Sequence, residues 1–297
     1  MSKRKKTKFN KLYIVIAIFS LIVYLYSNYN QPANSLQNDH TSLKDNLNVY
    51  FLDVGQADSI LITNDNHNVL IDAGNNEDGP KLVNYLKSLN ITHFDYIIGT
   101  HPHEDHIGGL DDTINNFDVD EIMLPDAYTT TKTFEDVLDA ISNKNKEITI
   151  PKIGDTFNSG NAKFTVIYTD SNTKDLNNSS IVLKLVYGQN SFLLTGDATS
   201  VSEKKMLNQD IKADVLKIGH HGSSYSTSEE FLTKVSPSYA IISVGANNNY
   251  NHPAPSTIKR LNNHGITIYK TSELGTILVT SDGTKLKITN FTTDTNG

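Results

Sequence analysis

The chain has no cysteine. That excludes a disulfide scaffold and a thiolate metal site, so a metal here must be held by nitrogen and oxygen. It leaves the compartment open, because exported proteins without cysteine are common. Positive charge is scarce once the first eleven positions are set aside. Those positions hold Lys3, Arg4, Lys5, Lys6, Lys8 and Lys11 and no acid. The remainder has 20 basic against 33 acidic residues, a net charge of about −13. A domain this acidic is a poor non-specific DNA binder, and its lysine groups (Lys144, Lys146, Lys152; Lys204, Lys205) are small. Internal sequence repeats are absent. Long apolar runs are absent too, apart from Leu12 to Tyr26, broken by Ser20. One apolar run excludes a channel-type transporter.

What is present begins with that run. A basic flank over 1–11 followed by an apolar stretch predicts a signal-anchor or transmembrane helix over 12–29. Tyr13, Tyr24, Tyr26 and Tyr29 suit its interfaces. No A-x-A cleavage site follows, so an uncleaved anchor is expected, with secretion after signal cleavage as the alternative. The basic flank stays inside, which places the rest outside the cell in a single-pass arrangement. Residues 30–46 read as a polar linker, 47–290 as the folded domain and 291–297 as a tail.

Within the domain, strand patterns alternate with helical ones. Strands are expected over 48–54, 58–63, 68–72, 95–100 and 119–124, with helices over 80–89 and 133–143. The second half repeats the style, with strands at 163–168, 180–187, 191–195, 213–218, 239–244, 266–269, 276–280 and 285–289. Helices are expected at 200–207, 227–235 and 255–264. This mixture predicts an α/β (α+β) fold of two sheets packed face to face with helices outside.

The chemistry concentrates at strand ends. His101-Pro102-His103-Glu104-Asp105-His106 follows the 95–100 strand and offers three imidazoles and the Asp105 carboxylate, beside Glu104, in six residues. Imidazole suits zinc and its first-row neighbours, and carboxylate adds a harder oxygen ligand. Ile107-Gly108-Gly109-Leu110 reads as a break in regular structure. Asp197 follows another strand, His220-His221 a third, and His252 lies in the 247–253 loop. His40, His67, His93 and His264 fall in linker, turns or a helix end, where a surface role is expected.

Thr100-His101-Pro102-His103-Glu104-Asp105-His106-Ile107-Gly108-Gly109 resembles the signature of the metallo-β-lactamase superfamily. The blocks at 51–58, 70–74, 194–197 and 215–223 resemble one branch of it. That branch is the hydrolase domain at the end of the DNA-uptake competence channel proteins, with its free-standing secreted relatives. The resemblance implies a four-layer αββα architecture and two divalent metal ions, zinc or alternatively manganese. It implies His101 and His103 on the first metal, Asp105 and His106 on the second, and Asp197 bridging. One of His220 and His221 completes the second site. A metal-bridged hydroxide would then attack the substrate. Many superfamily members carry a further His where this chain has Asn177-Asn178-Ser179-Ser180. The first metal is therefore expected to have fewer protein ligands.

Around those ligands, Asp72 and Asp58 are candidates to support a metal-bound His from behind. Asp105, His252 and Lys217 are the candidate catalytic residues, and Asn177, Asn178, Ser223 and His252 the candidate substrate contacts. For His252 the expected role is a hydrogen bond to the transition state or a proton to the leaving group. The expected activity is a membrane-anchored extracellular phosphodiesterase of nuclease type. Alternatives are hydrolysis of small cell-wall phosphoesters, in the manner of a phosphorylcholine esterase, or a non-catalytic metal-binding module. β-Lactam hydrolysis fits less well, since it goes with the full His set. Expected partners are a phosphoester substrate, the membrane and a separate channel protein, with no stable nucleic-acid complex.

Overall fold

A computed structural model describes residues 46–291. The expected basic flank, the 12–29 helix and nearly all of the linker and tail lie outside the described residues. Among the described residues, no helix is long and apolar enough to cross a membrane.

The first half supplies β1 (Leu47–Phe51), β2 (Ser59–Asn64), β3 (His67–Ala73), β4 (His93–Ile98), β5 (Asp118–Met123) and β6 (Ile148–Thr149). The middle supplies β7 (Thr156–Ser159), β8 (Ala162–Tyr168), β9 (Val182–Tyr187), β10 (Asn190–Leu194), β11 (Val215–Lys217), β12 (Tyr239–Ile242) and β13 (Thr267–Lys270). The chain then returns with β14 (Ile277–Ser281) and β15 (Leu286–Asn290). Two sheets result, ordered β15-β14-β1-β2-β3-β4-β5-β6 and β13-β12-β11-β10-β9-β8-β7. Each is mixed. β1, β2 and β3 pair antiparallel through short turns, whereas β3 to β6 are parallel. The second sheet likewise changes from antiparallel to parallel at β10.

Parallel neighbours need a crossover, and helices provide it. α1 (Gly79–Ser88) links β3 to β4, while α2 (Glu104–Ile107) and α3 (Leu110–Asn116) link β4 to β5. α4 (Lys132–Asn143) leads on to β6. In the second half α5 (Ser200–Met206), α6 (Glu229–Val235) and α7 (Pro255–Asn263) play the same part. α8 (Thr271–Leu274) is a single turn before β14.

Strand alternation decides the layers, because successive side chains point to opposite faces. Ile60, Ile62, Val69 and Ile71 meet Phe164, Leu183, Phe192 and Val215 between the sheets. Leu61 and Leu70 face the other way, onto Leu82, Leu110 and Val137 of the first helical layer. Leu193, Leu216 and Ala240 face Met206, Phe231 and Leu261 of the second. The described domain is therefore the expected four-layer αββα arrangement. Each fully buried Leu or Ile contributes about 1.5–3 kcal/mol, so all three apolar layers are needed to hold the sheets in register.

One local reading gains a reason. The glycines at 108 and 109 interrupt regular structure as expected, parting α2 from α3. Gly108 is helical, and a Cβ there would lie 2.2 Å from the backbone of Asn75 and Asn76. The glycines serve close packing: they let the segment carrying Asp105 and His106 lie directly on the loop after β3.

Candidate metal centre

The parallel strands of both sheets end at one edge, and the polar residues singled out in the sequence converge there. Asp72, near the end of β3, organises the first group. Its backbone has φ +60°, a region that Asp tolerates better than most residues. Its Oδ1 accepts from Thr100 N at 2.7 Å, and Oδ2 accepts from Thr100 Oγ1 at 2.8 Å. Oδ2 also lies 2.8 Å from His106 Nδ1. One carboxylate thus ties the end of β3 to the turn after β4 and to α2.

These partners set the tautomers of three buried imidazoles. His106 donates Nδ1–H to Asp72, so Nε2 is the nitrogen that faces inward, and it offers a lone pair once its proton is displaced. His101 Nδ1 lies 3.2 Å from Thr100 Oγ1 and 3.4 Å from Ser180 Oγ. The Thr100 hydroxyl proton goes to Asp72 and that of Ser180 to Asn177 O, so both oxygens accept from His101. His221 donates Nδ1–H to Ser243 O at 3.0 Å, with Asp58 Oδ1 behind at 3.4 Å. In all three, Nε2 is directed into the same space.

Two carboxylates enter that space. Asp105 Oδ2 is 3.2 Å from His221 Nε2 and 3.9 Å from His106 Nε2. Asp197 lies between the halves. Its Oδ1 is 3.3 Å from His106 Nε2, while Oδ2 is 3.7 Å from His220 and His221 Nε2 and 4.0 Å from His101 Nε2. The donor atoms of Asp105, His106, Asp197 and His221 all lie within 4.8 Å of one another. His101 Nε2 and His103 Nδ1 form a second pair 3.0 Å apart. In front lies a cavity of about 1090 Å³, lined by His103, Asn177, His220 and His252 among others.

The charges follow from burial and proximity. Burial pulls His101 well below the ordinary His value, helped by His106. Burial acts downward on His106 too, but Asp197, Asp72 and Asp105 outweigh it and raise it well above. His221 is likewise pushed down by burial and up by Asp197, Asp58 and Asp105, ending at about 10. Asp105, against its burial, is lowered to about 2 by His106 and His221. Against its burial, Asp197 is held well below the ordinary carboxylate value by His106 and His221, so Asp105 and Asp197 stay ionised beside positive charge.

Residues 52–246 match the family model described as the metallo-beta-lactamase superfamily. The chain belongs to that superfamily. Over 250 residues it is 34% identical to ComE operon protein 3 of Bacillus subtilis, covering 77% of this chain but 32% of that protein. It is 38% identical over 106 residues to Competence protein ComA of Neisseria gonorrhoeae, covering 35% of this chain and 15% of that one. The chain thus spans about a third or less of these curated relatives. The sequence branch suggested by the blocks at 51–58 and 215–223 is the one these relatives represent. The metallo-beta-lactamase fold protein YhfI of Bacillus subtilis shares the fold, with TM-score 0.56 at 13% identity, over 80% of this chain and all of that one.

The centre of this metallo-β-lactamase fold suits divalent cations on its own geometry. His106 Nε2 and Asp197 Oδ1 are buried, face each other at 3.3 Å and have no well-aligned hydrogen bond to any other group. Both are therefore available to a cation placed between them. A tetrahedral zinc with bonds of about 2.0–2.1 Å spaces its ligand atoms by roughly 3.3 Å. Four separations within the group, from 3.2 to 3.9 Å, lie around that value, and all its donor atoms fall within 4.8 Å.

Of the histidine pair, the structure places His221 in the buried group. His220, a quarter exposed, faces the cavity beside His252, with ring centres 5.5 Å apart. Both members have positive φ, at 51° and 53°, and both bring Nε2 to 3.7 Å from Asp197 Oδ2, His221 from the interior and His220 from the cavity. His252 is lowered to about 4 by burial and by His220 and His221. A neutral His252 suits a hydrogen-bond donor better than a cationic acid. Asn177 reaches the cavity, and its buried Oδ1 has no partner. Asp58 stands behind His221, and its backbone N–H donates to Asp105 O at 3.0 Å.

Three expected site residues do not reach the cavity. Lys217 is fully buried, and its Nζ lies 2.8 Å from Asp58 Oδ2 and 3.0 Å from Ile218 O. It neutralises Asp58 and touches no substrate space. Asn178 is buried with Oδ1 accepting from Thr199 and Ser202, which directs it toward α5. Ser223 is buried, and its Oγ accepts from Tyr225 N. Conversely, Asp53, Asn75, Glu77, Asp78, Lys81 and Tyr250 line the cavity. Their loops read as ordinary turns. The Ala73-Gly74-Asn75-Asn76 turn after β3, at the same sheet edge as the cluster, was the available signal.

Proposed function

We propose that the chain is a metal-dependent phosphodiesterase of nuclease type, held at the outer face of a membrane by segment 12–29. The observation that carries the reading is the convergence of three inward imidazole nitrogens on a carboxylate pair, with a neutral His252 on the cavity wall. Asp105, His106 and His221 would hold one ion and His101 and His103 the other, with Asp197 between the two groups. Two divalent ions, zinc or manganese, would supply Lewis-acid activation of water and of the phosphoryl oxygens. Asn177 stands where a third imidazole is often found, so the residues here would leave room for a substrate oxygen at the first site. That favours a phosphoester over a β-lactam. His252 offers N–H to charge developing on the leaving group. Lys81 places a cation at the rim for a phosphate.

The relatives favour DNA as the substrate, since one of them is named a competence protein. The acidity of the domain sets the mode. Strand cleavage would be local, without a stable nucleic-acid complex, and delivery would fall to a separate channel protein. A second reading rests on the rim itself. Asp53, Glu77, Asp78 and Glu104 surround the cavity, and the Tyr250 ring is 68% exposed there. Carboxylates and an aromatic face suit a quaternary ammonium, hence a choline-phosphate ester of the cell wall.

The test measures metal content of the purified full chain and turnover of bis-p-nitrophenyl phosphate. Two bound ions, with turnover abolished in His103→Ala, are expected. Absence of turnover with Zn, Mn and Mg alike would overturn the hydrolase reading. A side-by-side assay of single-stranded DNA and a choline-phosphate diester separates the two substrates.

A further inference from the structure

The parallel strands that end at the centre begin at the opposite edge of the first sheet, and a second group of ligands gathers there. His67 opens β3, His93 opens β4 with Asp95 following, and Asp120 lies in β5. The sequence reading left His67 and His93 on the surface. The parallel pairing of β3 with β4 and of β4 with β5 brings them together. His93 Nε2 lies 3.1 Å from Asp120 Oδ2 and 3.7 Å from Asp95 Oδ1. The other Asp95 oxygen accepts from Ser159 Oγ at 2.6 Å and lies 2.8 Å from His67 Nδ1. A cavity of about 440 Å³ lies beside the group, lined by His67, Asp95, Asp120 and Glu121.

Surface His–Asp pairs are common, but one imidazole and one carboxylate suffice for them. Here a single His93 edge faces carboxylates from two adjacent strands, whose mutual repulsion a cation would relieve. The donor atoms of His93, Asp95 and Asp120 lie within 4.8 Å of one another. The two measured separations straddle the roughly 3.3 Å spacing of a tetrahedral ion with bonds of about 2.0–2.1 Å. His67 and Ser159 fix Asp95 through its remaining oxygen, as supporting groups do around a ligating carboxylate.

We propose that His93, Asp95 and Asp120 form a second divalent-cation site of the zinc class, at the sheet edge remote from the hydrolase centre. Its ligands are one imidazole and two carboxylates, and its remaining coordination positions are open to solvent. Ser159 ends β7, so the site links the start of β4 and β5 in one sheet to the other sheet. The role that follows is a clamp on the sandwich, separate from catalysis.

The test uses the full chain loaded with Zn²⁺, dialysed, and analysed for zinc per chain. His93→Ala/Asp120→Asn should bind one equivalent fewer than the parent while hydrolysing bis-p-nitrophenyl phosphate at the parental rate. Asp120→Asn alone alters a side chain that is 69% exposed, so the fold is preserved, and chelator competition should show weaker zinc retention. His67→Gln should keep the equivalent and weaken it by about 10–100-fold. Equal zinc content in the parent and the double variant, or unaltered competition in Asp120→Asn, overturns the proposal.

Discussion

Replacing Asp72 by Asn changes one atom, yet the geometry leaves the amide no acceptable orientation. If the amide oxygen takes the Oδ1 position, it still accepts from Thr100 N at 2.7 Å. The NH₂ then faces His106 Nδ1 at 2.8 Å, a contact between two donors. His106 can relieve it only by moving its proton to Nε2, which removes the lone pair aimed at Asp197. If the amide flips, NH₂ meets the Thr100 N–H, and a buried donor is left unpaired at a cost of about 1–3 kcal/mol. Loss of a group that orients a metal-binding His typically costs about 10–100-fold in metal affinity. That is roughly 1.4–2.7 kcal/mol, comparable with the alternative cost, so both states suffer. Competition of the full chain against a chromogenic chelator should therefore show at least one ion released about 10–100-fold more readily. Phosphodiester turnover should fall in parallel at limiting metal. Parental metal affinity together with a parental melting temperature in Asp72→Asn would refute the tautomer argument.

Other outcomes follow from the same geometry. Lys217→Met leaves Asp58 ionised and buried without its cation, and should lower stability by about 3–5 kcal/mol in urea unfolding. A change below about 1 kcal/mol would refute the claim that Lys217 is what compensates the buried Asp58 charge. In metal-free protein, His221 is raised to about 10 against an unfolded value near 6.5, so its stabilisation is full below that lower value. It is lost as pH rises from there through about 10. Melting temperature of the chelated protein should therefore fall across that alkaline window, and metal-loaded protein should show a much smaller decline. Because burial holds His252 neutral above about pH 4, His252→Ala should lower kcat on a poor leaving group by about 10²–10⁴-fold at neutral pH. Metal content should stay unchanged, which distinguishes His252 from the ligands. Gly222→Ala places a Cβ 2.6 Å from that of Pro253 at φ +84°. It should displace the loop bearing His252 and reduce turnover more than metal binding.

Much of the site was legible because its ligands are local in sequence. His101, His103, Asp105 and His106 occupy one turn, and chain alternation marks the strands ahead of it, of Asp197 and of His220-His221. The layering was legible from the order of strand and helix patterns, but Ile60-Leu61-Ile62 and Val69-Leu70-Ile71 are apolar on both faces, so only the packing decided which side chains meet the opposite sheet. Lys217 shows where that reasoning stops. Its sequence neighbourhood next to Gly219-His220 suggested catalysis, but strand direction sends it into the interior, onto Asp58. Asn178 and Ser223 were misplaced likewise, since a turn's sequence does not specify which side chain faces out. The choice between His220 and His221 depended on two consecutive positive-φ residues that no local pattern announces. His93 and Asp120 came together solely through the register of parallel strands separated by two helices.

The sequence by itself determined the family, the layers and the identity of the metal-type ligands, because each is written in contiguous residues or a short period. Tertiary structure decided which lone pairs point inward, which candidates are buried away from the cavity, and where a second ligand group forms. Those features depend on side chains brought together from distant strands, and contact between distant strands is set by the packing of the sheets.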